Sequence, residues 1–244
     1  MQLLEKISPL FAGWNETLIW SVLEGHMGYA IADCDDAPTA ALVVLGDICF
    51  LAGKPSMALA AKANSREIIP QNEAWSDAIE QALGERAARS LRYAIKKEPS
   101  IFSRKKLQKY IDALPKEFEL RLFDEEICKK TFQESWSCDF CANFANIPDF
   151  LARGLGVGVL YQGQLVAGAS SFSIYNGGIE IEIDTKPEFR RRGLAPACGA
   201  QLILTALDRG LYPSWDAYDL RSVALAEKLG YHVDHPYIAY RMRD

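Results

Sequence analysis

Histidine is scarce in this chain, with three residues among 244, and that scarcity removes whole chemistries. His232 and His235 form an isolated couple, and no order of Ser, His and Asp singles out a nucleophilic triad. The six cysteines, Cys34, Cys49, Cys128, Cys138, Cys141 and Cys198, are scattered and mostly flanked by apolar or aromatic residues. Cys138-x-x-Cys141 has no second pair at ligand spacing, which argues against zinc, and without an export signal the cysteines read as reduced thiols. No apolar run approaches the roughly 20 residues of a membrane span. The start, MQLLEKISPL, also lacks a basic segment followed by a continuous apolar core. A surplus of positive charge is missing too: 27 Lys and Arg face 32 Asp and Glu, a net charge of −5 that disfavours nucleic acid and anionic membranes as partners. A cytoplasmic protein is the expectation. No Walker-type loop occurs. The run Gly154-Leu155-Gly156-Val157-Gly158 precedes a strand pattern and opens no helix, so it is not a dinucleotide loop.

What is present can bury a sizeable core. With 49% hydrophobic and 24% charged residues, the chain is long enough for one large domain or two small ones. We place the division at 115/116. In 1–115, helical patterns cover 2–10, 16–23, 54–63, 75–83 and 104–113, and strand patterns cover 29–32, 41–45, 48–52, 66–69 and 90–96. That half has no glycine phosphate loop. In 116–244, helices are expected at 124–133 and 148–153, followed by a meander of strands 157–161, 165–174 and 179–185. Its turns are Gln162-Gly163 and Asn176-Gly177, and Asn-Gly between two strand patterns is a strong hairpin signal. A helix at 195–209, a strand at 212–215 and a helix ending at Gly230-Tyr231 complete the order.

The stretch from Ile179 to Gly199 carries the most information. Ile179, Ile181 and Ile183 alternate with Glu180, Glu182 and Asp184, the period of a half-buried strand with one apolar and one acidic face. Pro187 and the charged PEFRRR close the strand, and Arg190-Arg191-Arg192-Gly193-Leu194-Ala195 leads into a helix of small residues. Gly193 lets backbone approach a ligand with no side chain in the way, and Pro196 suits a first helical turn, where its missing N–H costs no internal bond. Spare N–H groups and the positive end of the helix dipole then face any anion above the loop. A solvated basic turn is the plainer reading of the same arginines.

These residues resemble a known family. Arg190, Gly193 and Ala195 match the pattern Arg/Gln-x-x-Gly-x-Gly/Ala of the GNAT superfamily of N-acetyltransferases, between a strand and a helix. The following block, Pro213-x-Trp215-Asp216 with Ser222 and Leu225-Ala226-Glu227-Lys228-Leu229-Gly230-Tyr231, looks closest to the group that includes the zwittermicin A resistance acetyltransferase. The resemblance covers roughly 117–244. It implies an α/β fold whose C-terminal domain has a mixed, mostly antiparallel sheet flanked by helices, with an N-terminal α/β helper domain. It implies acetyl-CoA as co-substrate and a primary amine of a small molecule or peptide as acceptor. Backbone groups of Ile183 to Thr185 would then serve the oxyanion and the pantetheine arm. The pyrophosphate would take N–H groups from Arg191 through Arg192, Gly193 and Leu194 to Ala195, with the arginine side chains, Arg190 included, adding charge. The N-terminal half is either a degenerate acetyltransferase-like half or a helper that shapes the cleft or a contact between two copies of the chain.

Amine acetylation needs a group to take a proton from an ammonium. On one strand face, Glu180, Glu182 and Asp184 lie about 6.8 Å apart. Like charges at that spacing favour protonation of the middle one, so Glu182 is the first candidate base and Glu180 the second; a solvated acidic face without a role is the alternative. Two positions depart from the family pattern. Ala226 stands where a thiolate-protonating tyrosine is usual, which leaves Ser222, Tyr218 or water. Asp219 stands where Asn is usual, near the cofactor arm, and has less donor capacity. Trp136, Phe140, Phe144 and Phe172 read as an acceptor pocket or as core. The acidic wall suits a cationic acceptor. Direct attack in a ternary complex is expected, since no cysteine is placed as nucleophile. The competing class is a non-catalytic acetyl-CoA sensor or interaction module.

Overall fold

The computed structural model describes residues 3–243. In chain order it has α1 (Leu3–Ile7), α2 (Thr17–Leu23), β1 (Tyr29–Ala32), β2 (Ala40–Leu45), β3 (Ile48–Gly53), α3 (Met57–Ala60), β4 (Glu67–Pro70), α4 (Glu73–Leu83) and β5 (Ala87–Ile95). There follow α5 (Arg104–Asp112), β6 (Phe118–Leu122), α6 (Glu125–Thr131), α7 (Ile147–Arg153), β7 (Gly156–Tyr161), β8 (Gln164–Tyr175), β9 (Gly178–Thr185) and α8 (Leu194–Asp208). The last are β10 (Tyr212–Ser214), β11 (Asp216–Ala217), α9 (Leu220–Leu229) and β12 (Val233–Met242). By internal contacts the chain forms two compact units, Met1–Arg92 with Pro236–Asp244, and Tyr93–His235.

In the first unit the strands run in the order β1-β2-β3-β4-β12-β5. β2 and β3 are apolar along their length and nearly all buried. The parallel pair β3 and β4 stays in register from Ile48↔Glu67 to Leu51↔Pro70. Past that point the Gln71 N–H donates to Leu51 O at 3.0 Å, Gly53 N–H donates to the Gln71 side chain at 3.0 Å, and the Trp75 indole N–H donates to Gly53 O at 3.0 Å. The pair is stitched to its end. Two expected helices are shorter than their patterns. The helix expected over 2–10, whose Gln2 lies outside the described residues, ends at Ile7 and continues as a 3-10 turn over Ser8–Phe11, because Pro9 has no N–H for the α-helical ladder. The one expected over 54–63 shrinks to the four residues of α3, capped by Ser56 and ended by a turn at Lys62 and Ala63.

The second unit holds a five-stranded sheet in the order β10-β9-β8-β7-β6. β6, an edge strand that the sequence reading left without an element, pairs antiparallel with β7 from Phe118↔Tyr161 to Leu122↔Val157. Gln162 and Gly163, both at positive φ, turn β7 into β8. On one face lies α8, whose Ala197, Cys198, Ala200, Leu202 and Ile203 are buried with Ile179 and Ile181 of β9. Gly199 makes this approach possible: a Cβ there would stand 2.7 Å from Leu229 Cδ1 and 2.9 Å from Ile183 Cδ1. The other face is covered as well. A Cβ on Gly156 would meet the Phe123 ring at 2.4 Å, and one on Gly168 would meet the Phe140 ring at 2.6 Å, so small residues let aromatic rings lie flat on the strands. The acidic face is therefore partly roofed, and Glu180 is 4% exposed. Helix α5 buttresses α8 and α9: Leu107 is in their core, and the Tyr110 hydroxyl donates to Lys228 O at 3.1 Å.

Candidate active site

The strand expected at 212–215 divides in two, and this division opens a gap beside β9. β10 runs parallel to β9 only from Tyr212↔Gly178 to Ser214↔Glu180. The chain then turns at Trp215, and Asp216 and Ala217 pair instead with Ala94 and Tyr93 of β5. Beyond Glu180, no strand pairs with the outer edge of β9 among the described residues. Lys186 N–H donates to Val166 O at 2.9 Å. Alternation along an antiparallel ladder then turns the N–H and C=O of Ile183 and Thr185 away from β8, into the gap. Of the groups expected to serve a pantetheine arm, Ile183 has its backbone open. Those of Thr185 are held by the protein: its N–H donates to Asp184 Oδ1 at 2.6 Å, and its C=O accepts from Arg190 Nε at 3.0 Å.

The loop at the end of β9 has the expected shape and a different use of its charge. Arg190 lies 3.5 Å from Asp184 as well, so it ties the loop to the strand it leaves. Arg192 stacks over Phe189, with its guanidinium carbon 5.1 Å from the ring centre. Arg191, at φ +62°, is exposed and has no recorded partner among the described residues. Gly193 caps α8 at φ +81°, a conformation that favours glycine, and a Cβ there would meet nothing within 4 Å. Leu194 and Ala195 open the helix, where backbone N–H groups have no helical acceptor. An open turn with spare donors and an uncommitted arginine fits a diphosphate. Pro196 withholds one donor. Cys198, just inside the helix, is fully buried, and burial pushes its thiol up, out of reach of a nucleophilic role.

Around the gap, Asp219 caps α9, accepting from the N–H groups of Arg221 at 2.8 Å and Ser222 at 3.0 Å, and pairs with the Arg221 guanidinium at 2.7 Å. Burial raises its affinity for a proton, but the bonds from the Arg221 side chain and the two backbone N–H groups outweigh that and hold the carboxyl below the usual Asp value. Both of its carboxylate oxygens are engaged in these contacts. Ser222 Oγ accepts from the Trp215 indole N–H at 3.0 Å, which leaves its own proton to give. Ala226 is buried in the core. Phe140, Phe144 and Phe172 are buried too, and the Trp136 ring meets Phe140 edge-on at 5.8 Å, so these aromatics roof the sheet.

The acidic strand is uneven. Glu180 is buried, Glu182 is half-buried, and Asp184 is occupied by Arg190 and the Thr185 N–H. Three buried serines that the sequence reading passed over share this face. Ser170 lies opposite Glu182, while Ser173 and Ser214 lie opposite Glu180 on either side. The signal for Ser170 and Ser173 was the ASSFS run inside an otherwise apolar strand, but a register shift between Ser171 and Ser173 decides which of them meets which glutamate, and Ser214 comes from the separate strand β10.

Comparison with known proteins places the chain in a family. The model of a GNAT acetyltransferase family matches residues 8–240. A GCN5-related N-acetyltransferase-like protein from Streptococcus suis 89/1591, of known structure, is 45% identical, with 99% of this chain and 98% of that one covered and a TM-score of 0.95. The uncharacterized N-acetyltransferase YdfB of Bacillus subtilis is 26% identical over 182 residues, which span 71% of this chain and 64% of that protein. A GCN5-related N-acetyltransferase from Kribbella flavida, at 15% identity, a TM-score of 0.52 and coverage of 84% and 87%, shares the fold. The shared stretch thus takes in both units, and the chain belongs to the GNAT acetyltransferase family.

Proposed function

We propose that the protein is a cytoplasmic, acetyl-CoA-dependent N-acetyltransferase that acts on a primary amine of a small molecule or peptide by direct attack in a ternary complex. The observation that carries this reading is the gap between β9 and β10, flanked by the glycine turn that opens α8. Acetyl-CoA would supply the acetyl group as an activated thioester. The N–H groups of Arg191 to Ala195, with the Arg191 side chain, would hold its diphosphate, and the open backbone of Ile183 would receive the arm and the polarised carbonyl oxygen. Glu180 and Glu182 would receive a cationic acceptor. Of the two, Glu180 sits at the root of the gap, buried and next to the last paired residue of β10, and we assign it the proton-accepting role. Ser222 would return a proton to the departing thiolate. The Pro213-x-Trp215-Asp216 block supports a place near the zwittermicin A resistance-like group.

Residues 116–244 carry all of these groups. For the N-terminal half we favour an acetyltransferase-like origin without a cofactor site. β3, α3 and the parallel strand β4 repeat the order of β9, α8 and β10, but Gln71 and Trp75 close the edge that stays open in the second unit.

Calorimetric titration with acetyl-CoA tests the reading. Micromolar binding is expected, lost in an Arg191→Glu, Gly193→Asp double variant. No binding by the wild type would make a non-catalytic module the better account, and so would binding with no release of free thiol across a panel of amines.

A further inference from the structure

The strongest unassigned feature of the second unit is a set of buried hydroxyls with nothing to bond. Ser173 and Ser214 are 0% and 1% exposed, and neither Oγ has a hydrogen-bond partner among the described residues. A buried hydroxyl left unpaired is costly, so each needs an acceptor within reach. The strand register supplies one. Ser173 of β8 and Ser214 of β10 are the two residues directly opposite Glu180, so all three side chains leave the same face of the sheet. Residues opposed across the antiparallel pair β8/β9 have Cβ atoms about 4.5–5.5 Å apart, and the parallel strand β10 lies at the usual spacing of about 4.8 Å, separations a serine hydroxyl and a glutamate carboxylate can bridge by side-chain rotation alone.

The placement of Ser173 depends on one irregularity. Ser170 faces Glu182 and Ser171 faces Ile181, so an unbroken ladder would set Phe172 against Glu180. The register shifts by one residue between Ser171 and Ser173, and the position goes to a serine. A bulge of this kind re-aims a side chain at the expense of ladder bonds.

Several polar groups on this side of the second unit have partners of their own. The charge of Glu180 reaches Tyr212 and Tyr231. The Tyr212 hydroxyl donates to Lys96 O and accepts from the Glu98 N–H, Tyr231 donates to Pro213 O, and Tyr175 donates to Tyr212 O. Glu98 pairs with His232, and Asp184 with Arg190. Glu182, two residues along, adds like charge. A carboxylate buried in these surroundings stays ionised only if donors favour its charged form.

We propose that Ser173 and Ser214 are positioning residues that donate to the Glu180 carboxylate from its two neighbouring strands, fixing its orientation and keeping it ionised to accept a proton. This rests on the role given to Glu180 above. Nuclear magnetic resonance titration of the carboxyl carbons of isotope-labelled glutamate tests it on the whole protein without any substrate, the Glu180 signal being identified by its loss in Glu180→Gln. In a Ser173→Ala, Ser214→Ala double variant the Glu180 midpoint should rise by about one pH unit or more, and in Ser173→Thr, which keeps a hydroxyl, it should stay near the wild-type value. The single alanine variants should each give part of the shift and serve if the double variant does not fold. An unchanged midpoint in the alanine variants overturns the proposal, and so does an equal shift in the threonine variant, which would trace the effect to packing. Failure of the catalytic reading is seen separately, as acetyl transfer by Glu180→Gln at the wild-type rate. If Glu180 is the base, the acid limb of the rate profile should move upward with its midpoint in the alanine variants.

Discussion

Arg190 shows how a residue can be read for its chemistry and serve through its mechanics. A triple arginine beside a glycine suggests charge aimed at a phosphate, yet the Arg190 side chain spends its donors on Thr185 O and Asp184 and so fixes the angle at which the loop leaves β9. Replacing Arg190 with alanine should weaken acetyl-CoA binding about tenfold, because the loop is no longer held at the angle that presents its N–H groups, with little change in thermal midpoint since the side chain is half exposed; calorimetry and a melt measure the two. Asp219 poses the same question. Removing its cap in Asp219→Ala should cost about 1 kcal/mol. Its carboxyl is held below the usual Asp value in the folded protein. Its contribution is therefore present above the unfolded Asp value of about 3.9 and lost as pH falls through the lower folded value. Urea unfolding of wild type and variant should differ at pH 7 and converge in strong acid.

Between neighbouring elements, small residues set the distances. The Cβ that Gly199→Leu adds would sit within 3 Å of side-chain atoms of both Leu229 and Ile183, so this substitution should push α8 away from β9. A loss of about 1–3 kcal/mol in stability is expected, together with weaker acetyl-CoA binding, because the turn at Gly193 rides on the same helix. Denaturant unfolding and calorimetry on one preparation would check both. Elements with strong periodicity were legible in the sequence: β9 was expected at 179–185 and spans Gly178–Thr185, and α8 was expected at 195–209 and spans Leu194–Asp208. What could not be read was pairing. Nothing local to Trp215 says that Ser214 bonds β9 while Asp216 bonds β5, and nothing in Phe172 announces a register shift. β6 is short and pairs on one side only, so its pattern FELRL was too brief to stand out from a loop. The burial of Glu180 was hidden for the same reason, since it depends on what roofs the face and not on the strand's own alternation.

Across the whole molecule, the chain leaves the first unit at Arg92 and returns to it at Pro236. β12 lies between β4 and β5, and its Arg241 reaches the buried Glu67 at 3.0 Å, while Tyr240 is buried beside Trp75 in the core of that unit. Deleting residues 236–244 should therefore open the first unit: amide protons of β3 and β4, protected in the full chain, should exchange freely, as hydrogen-exchange mass spectrometry would report. A fragment of 116–244 should fold poorly, because it lacks Leu107 and Ile95, both buried in the second unit's core; circular dichroism and gel filtration would show it. A fragment of 93–235 keeps them.

The late return of β12 also has a consequence for synthesis. Domains that are continuous in sequence complete themselves in the order in which they leave the ribosome, at about 5–20 residues per second. Here that order is reversed. The strands β1 to β4 emerge first but lack the neighbour that closes their sheet, while residues 93–235 can collapse around β7, β8, β9 and α8 as soon as they are free. In a nascent chain the second unit is thus complete in sequence before the first, and until β12 arrives the apolar strands β2 and β3 lack the neighbour that closes their sheet.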